Sequence, residues 1–542
     1  MFTLPRPIHS IRRTAKRLWL VGLVFSLMYT GTAFLKYDVQ KNEAWIIGYD
    51  QMLQFAWAHS LFFDGDLDLT NQYGHIKHLR GYGRSEAVLG FLAQTPPTPR
   101  NLPSNYTAAG SGLASLPLMA LARVAAAVYE LATSIRVSSF SAIYPLAHLA
   151  TQVLLVFIGL GAAWRILRPR YGSAIALFSI ATVLLGTPLG YYTVISPGWS
   201  HMGGFFGCTL FLASVLAWEK EWRVSALDRN SFLPSLRRAL AMGIWLGVTA
   251  LMRNSDGLVF IVPIAIAIAS AARFPYLRST RSLLHALAAL FVAAIGFVAG
   301  FLPQMLCWKA LFGSHIVNSY AYIPTTYPGF DFLRLYPRYL PHILFGDRIG
   351  LFLWHPLTLL AVAGLLLSAV RGRSVAWGCL AGLAAIAWVN STGDAYWHDY
   401  PFGHRCFVDF SIFFMIGVAE ILRRLHAAQA KRVREKTRLP QATRLLRVLI
   451  VVLVLWNLYL VAAFRAGVQP GGKPWAGYRI LTNWSGQNVQ RLWRELPVLP
   501  ELVYNVRKAK QRAFAGTGTG MPAELRPTPI LFTLFTPLVE GE

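Results

Sequence analysis

The stretch AAGSGLASLPLMALARVAAAVYEL, Ala108 to Leu131, decides how the rest of the chain is laid across a membrane. It is apolar, and a spanning helix takes about 20 such residues. If it crosses, the basic segment RILRPR (Arg165, Arg168, Arg170) falls outside and every later basic loop inverts with it. If it is a helix that stays on the outer side, the Lys and Arg of the short loops collect on one face. Cytoplasmic loops carry the excess of Lys and Arg, so the second reading is preferred.

Working outward, Leu18–Lys36 is the first span; Arg12, Arg13, Lys16 and Arg17 ahead of it set its start in the cytoplasm. No convincing cleavage site follows, so it is read as uncleaved. After the decisive stretch, Phe140–Leu167 descends, Ser173–Ile195 ascends and Met202–Trp218 descends. A short pair, Ala239–Met252 and Gly257–Ala272, turns at RNSD. Leu283–Pro303, Leu351–Val370, Val375–Val389, Phe410–Leu422 and Leu446–Phe464 complete the set. The expectation is an all-α polytopic membrane protein with about 11 transmembrane helices. It is multi-pass in the cell (inner, cytoplasmic) membrane, with a cytoplasmic N-terminus and an extracytoplasmic C-terminus. Residues 1–464 form the transmembrane domain, residues 37–139 the first outer loop, and residues 465–542 an outer tail. Within that loop, EAWIIGYDQMLQFAWAHSLFF (43–63) has helical apolar spacing and is predicted to lie along the membrane surface. QTPPTPRNLPSN (94–105) is predicted to be extended loop.

Composition agrees. Of 542 residues, 55% are hydrophobic and 14% charged, against about 25% charged in a soluble domain. The net charge of +27 sits in short loops between spans rather than on one soluble face, so membrane lipid is the expected partner and nucleic acid is excluded. Cys208, Cys307, Cys379 and Cys406 form no CxxC and no metal spacing, and read as small buried apolar residues. Asn105, Asn390 and Asn483 open sequons at chance level.

The outer side collects the chemistry. SLFFDGDLDLTNQYGH (60–75) holds Asp64, Asp66 and Asp68, suited to ordering the loop, binding acceptor hydroxyls, or pairing with Lys77 and Arg80. The same face receives Glu43, Asp50, His201, Arg253, Asp256, Arg348, His398, Asp399, His404 and Arg405. A carboxylate among aromatics suits a general base acting on a hydroxyl. Arginine suits a phosphate through charge-assisted, often two-pronged bonds. In DAYWHDYPFGHR (394–405), Trp397 and Tyr400 can stack on a sugar beside His398, and His404–Arg405 can hold phosphate. The other reading is an interfacial aromatic belt. His201, in SPGWSHMGG, is either a packed, hydrogen-bonded histidine or a sugar contact.

A first span, a large acidic outer loop with surface helices and then many spans resembles the layout of the GT-C glycosyltransferases. Protein O-mannosyltransferases and lipid A aminoarabinose transferases belong to that superfamily. The segments that carry the resemblance run in order over roughly residues 18–424: GYDQMLQFAWAHSLFFDGDLDLTNQY, NYTAAGSGLASLPLMAL, ISPGWSHMGGFF, LGVTALMRNSDGLVFIVP, LPQMLCWKALFGS, GLFLWHPL and FGHRCFVDF. The resemblance implies a polyprenyl-phosphate-linked sugar donor and a glycan, lipid or protein acceptor. It also implies an acidic base in the first outer loop, for which Asp50 is the first candidate and Glu43 the second. Met52, Leu53 and Gln54 stand where the superfamily's D-x-x-YY has its aromatics.

The reaction so implied is one inverting displacement. Asp50 takes the acceptor proton, and Arg405 and His404, with Arg253 or Arg348, offset the leaving phosphate. Asp64, Asp66, Asp68, His201, Trp397 and His398 are the candidate sugar or acceptor contacts. No metal is required; DGDLD would suit a divalent cation but lacks the full EF-hand spacing. The competing readings are a transporter or flippase of a lipid or glycan, and a non-catalytic relative of the superfamily.

Overall fold

The computed structural model describes residues 8–34, 49–78, 92–228, 231–322, 336–392, 402–435, 441–468 and 479–495. Glu43, Lys77, Arg80, Trp397, His398 and Asp399, or their side chains, lie outside the described set, as does most of the predicted tail.

The described residues are helical and contain no strand. In chain order the main helices are α1 (Ile8–Phe34), α2 (Tyr49–His59), α3 (Thr70–His78), α4 (Leu116–Thr133), α5 (Ile143–Tyr171), α6 (Ser173–Gly186), α7 (Pro188–Val194) and α8 (Ser200–Ser225). They continue as α9 (Phe232–Met252), α10 (Ile261–Arg273), α11 (Thr280–Phe312), α12 (Pro356–Ala369), α13 (Ser374–Asn390), α14 (Ser411–Glu435), α15 (Gln441–Arg465) and α16 (Gly486–Glu495). By length and apolar composition, α4, α5, α8, residues 254–273, α11 and α15 can each cross a membrane. The pair α6–α7, bent by 77° at Thr187, makes a seventh, and α12 and α13 are apolar but shorter. The chain is a multi-pass membrane protein. The described residues reach seven by this test, not the predicted count of about 11.

Two polar levels mark the ends of the bundle. At one, Glu219 near the end of α8 accepts from Arg223 (2.5 Å), from Ser270 on α10 (2.6 Å) and from Ser374 at the start of α13 (2.5 Å). Arg273 reaches the carbonyl of Gly372. At the other level, His201 at the start of α8 meets Asp409 just ahead of α14 and Arg253 just after α9. His201 and Glu219 are separated by about 27 Å of helix at 1.5 Å per residue, close to the roughly 30 Å hydrocarbon thickness. Between the two levels the core is apolar and aromatic, and Trp218 and Trp222, which flank Glu219 on α8, stack at 5.4 Å. Glu420 is fully buried inside α14 and is held by Arg423 at 2.6 Å and Arg424 at 4.0 Å.

Glycines set a close helix crossing. Gly243 and Gly247 on α9 face Gly296 and Gly300 on α11, and a Cβ at Gly243 would lie 1.9 Å from the carbonyl oxygen of Ala293. This is the small-xxx-small device that lets two backbones touch in lipid.

The segment 43–63 was expected to form a surface helix. Instead α2 is buried along residues 51–60 and continues into a π-turn, Ser60–Asp64. The reason is a lid made by residues 105–112. Asn105 Nδ2 donates to the Leu53 carbonyl (2.7 Å), Trp57 Nε1 donates to the Thr107 carbonyl (3.2 Å), and Gly112 rests on Gln54. Helix α11 also runs past its predicted end at Pro303, because Cys307, Trp308, Leu311 and Phe312 complete a second apolar cluster with α2 and residues 109–119.

Helix α4 passes the length test for a span, yet the chain enters and leaves it at one place. Gly112, before it, sits against Gln54 and Ala58, and Ser139, after it, accepts from His59 Nε2 at 3.0 Å. A single crossing would require residues 134–138 to return through the hydrocarbon as extended backbone, which lipid does not tolerate. Cysteine in place of Ser134 is therefore expected to react with an impermeant maleimide from the same side of the membrane as cysteine in place of Asn71. Labelling from opposite sides would show that α4 crosses.

Candidate functional site

Asp50 lies in the first turn of α2, and a carboxylate is favourable there because the free N–H groups and helix dipole point at it. Its two oxygens have different partners. Tyr106 donates its hydroxyl to Oδ1 at 2.8 Å, and Arg405 Nη2 approaches Oδ2 at 3.3 Å. Arg405 in turn lies over the indole of Trp199, 4.3 Å from the ring centroid, a cation–π contact. The carboxylate keeps 25% of its side-chain surface open and the guanidinium 13%, so the pair can be reached. Asp50 and Arg405, far apart in sequence, are thus neighbours. Tyr320 lies beside them, its ring 5.8 Å from that of Tyr106. Burial is the main cause that raises its pKa, so the phenol stays protonated.

A second, buried layer stands behind Arg405. Asp409 is fully buried. It accepts from Arg253 Nη1 at 2.8 Å and from His201 Nδ1 at 3.0 Å. Arg253 Nη2 points at Cys406 Sγ, 3.1 Å away. Asp256, also fully buried, is 4.0 Å from Arg253. Burial works against the Arg253 charge, but Cys406, Asp409 and Asp256 outweigh it and keep the guanidinium firmly protonated. Burial pushes the Cys406 thiol up, yet the Arg253 charge and the hydrogen bond from His404 prevail and hold it down at about 6. Gly204 on α8 makes room: a Cβ there would be 2.6 Å from Asp256 Oδ2 and 2.7 Å from Asp409 Cγ.

The segment 402–405 is pinned at its other end too. The Tyr192 hydroxyl receives the Phe402 N–H at 3.1 Å and donates to the Phe402 carbonyl at 3.3 Å. Gly403 has φ +60, the left-handed region, and a Cβ there would fall 1.9 Å from His355 Nε2. His404 is fully buried beside Phe407.

The structure places the other candidates as follows. Arg253, read as a phosphate contact, has both terminal nitrogens directed at Asp409 and Cys406. His201, read as either a packed, hydrogen-bonded histidine or a sugar contact, is 3% exposed and bonded to Asp409. His404, read as a phosphate contact, has no exposed surface. Asp64, Asp66 and Asp68 order their own loop. Asp64 accepts from Asn71 (2.9 Å) and Gln72 (2.6 Å), Asp66 from Ser60 and the Asp68 N–H, and Asp68 caps α3 through Thr70 N (3.0 Å). The three begin about 20 Å along the α2 helix from Asp50, too far to share one sugar with it. Arg348 lies in the turn ahead of Leu351–Trp354. Tyr106, Trp199, Tyr320 and Asp409 were not singled out beforehand, although Tyr106, Trp199 and Asp409 fall inside quoted segments.

Fold and site together define an all-helical, multi-pass membrane protein with a reachable carboxylate–arginine pair at one polar end of its bundle. Among solved structures the chain is similar to the archaeal oligosaccharyltransferase AglB from Archaeoglobus fulgidus, in complex with an inhibitory peptide and a dolichol-phosphate. The identity is 13% and the TM-score 0.45, covering 89% of this chain and 60% of that one. It is also similar to ArnT from Cupriavidus metallidurans, bound to undecaprenyl phosphate or in the apo state. There the identity is 15% and the TM-score 0.40, covering 96% of this chain and 85% of that one. No protein-family model and no curated protein matches the chain.

Proposed function

We propose that this protein is a membrane glycosyltransferase that moves a sugar from a polyprenyl-phosphate donor to an extracytoplasmic hydroxyl on a glycan, lipid or protein. The observation that supports this most is the Asp50–Arg405 pair, 3.3 Å apart, still reachable and braced by Tyr106 and Trp199.

The pair has the parts for one displacement. The acceptor oxygen forms a bond to the anomeric carbon while its proton passes to Asp50, and the carbon–oxygen bond to phosphate breaks on the opposite face, inverting the centre. The bond electrons leave on the phosphate, whose charge Arg405 offsets. The grip of Arg405 on Asp50 is single and long. An arriving phosphate, with more charge, competes for the guanidinium and leaves Oδ2 open to accept the proton. Tyr106 keeps Oδ1 fixed and so aims the carboxylate. Charge on a bundle end, rather than at mid-span, supports this reading, since the sugar of a membrane-anchored donor lies at the membrane surface.

The test is transfer of labelled sugar from a polyprenyl-phosphate donor by the purified protein in liposomes. Arg405→Gln is expected to raise the KM for donor by about 10- to 100-fold, since charge-assisted bonds to phosphate are among the stronger ones; Arg405→Lys is expected to recover part of this. Lipid or glycan movement between leaflets without sugar transfer would instead establish the flippase reading, for which the 77° break at Thr187 is the structural counterpart.

A further inference from the structure

We propose that Asp409 is a positioning residue: through Arg253 and His201 it fixes the turn 405–410 so that Arg405 meets Asp50 and the donor phosphate. This rests on the donor reading given above. Asp409 has no exposed surface, so it cannot touch substrate itself, and an ionised carboxylate is tolerated there only while paired.

Its partners come from two other elements. Arg253 ends α9, and His201 begins α8. His201 Nδ1 lies 3.0 Å from Asp409 and 3.1 Å from Arg253 Nη1; with its proton assigned to Nδ1 it donates to Asp409, and the guanidinium of Arg253 donates to the other oxygen. Arg253 then reaches on to Cys406, the residue next to Arg405. The turn 405–410 is thus clamped at Asp409 and at Cys406 by one side chain, and Tyr192 holds the chain at Phe402. Between these clamps Arg405 is the residue left pointing at Asp50 and Trp199. The absence of a Cβ at Gly204 lets the two buried carboxylates, Asp409 and Asp256, sit against α8. Arg253 serves the reaction through Arg405, not by contact with phosphate.

Two measurements on the full chain in detergent test this. The first is amide hydrogen exchange across residues 402–410 in wild type, Asp409→Asn and Arg253→Lys. The second is polyprenyl phosphate binding to wild type, Arg405→Gln, Asp409→Asn and the double variant. Exchange in this segment is expected to quicken by at least about ten-fold in Asp409→Asn and less in Arg253→Lys, with α5 and α11 unchanged, because an unpaired buried charge loosens its surroundings. Binding is expected to weaken by about ten-fold in Asp409→Asn and by no further factor once Arg405 is already Gln, since residues acting through one group are non-additive. Unchanged exchange overturns the proposal. So does a loss of binding in Asp409→Asn that is equally large with and without Arg405. If exchange responds as expected but wild type binds no polyprenyl phosphate, the donor reading falls while the clamp on Arg405 stands. If Asp409→Asn fails to fold, Arg253→Lys carries both measurements.

Discussion

Asp50→Asn is expected to lower the rate of sugar transfer by about 10²- to 10⁴-fold, the usual contribution of a positioned general base. Asn is close in shape and keeps an oxygen for the Tyr106 hydroxyl, so α2 and its lid should stay in place. The amide cannot take the acceptor proton. It also no longer competes for Arg405, so donor binding should hold or tighten while kcat falls. That opposite movement of kcat and donor affinity separates loss of a base from loss of fold, which would weaken both. Steady-state kinetics with a polyprenyl-phosphate donor, together with binding of the unglycosylated lipid phosphate, checks it. Transfer at the native rate would remove Asp50 from the base role and leave Glu43 as the next candidate.

Gly243→Ile is expected to destabilise the protein by roughly 3 kcal/mol or more, at the upper end of what overpacking a close contact costs. The contact is backbone to backbone. A Cβ at Gly243 would lie 1.9 Å from the Ala293 carbonyl oxygen, one at Gly247 2.4 Å from that of Phe297, and one at Gly300 2.3 Å from that of Ile244. No rotamer change relieves a collision with main chain, so α9 and α11 must separate. Arg253 follows the end of α9, so the displacement should carry into the 405–410 turn and abolish transfer as well. Gly31→Ala, where a Cβ meets nothing within 4 Å, is the matched control and should change neither property. Thermal unfolding in detergent, read beside activity, checks both. Equal stability of the two variants would mean that the α9–α11 crossing is looser than these contacts show.

The membrane class and the nearness of Asp50 and Arg405 were legible in the residues themselves. Each depends on a local property: an apolar run long enough to cross, a Lys or Arg at its end, a carboxylate and an arginine on the same polar side. The close approach of α9 and α11 through GIWLG and GFVAG, residues 243–247 and 296–300, emerged only from the packed helices, because a small-residue spacing does not name its partner. The burial of α2 was not legible. Its amphipathic spacing fits a surface as well as a core, and only the lid of residues 105–112 decides between them.

The sequence by itself determined an all-helical membrane chain and drew attention to Asp50 and Arg405, because charge and apolar length act on each segment separately. Only the tertiary structure decided which arginine stays available. Arg253 and Arg405 are alike as text, but Asp409 and Cys406 take up one and Trp199 leaves the other facing Asp50. That assignment depends on partners from distant helices, and guanidinium groups differ chemically only through what surrounds them.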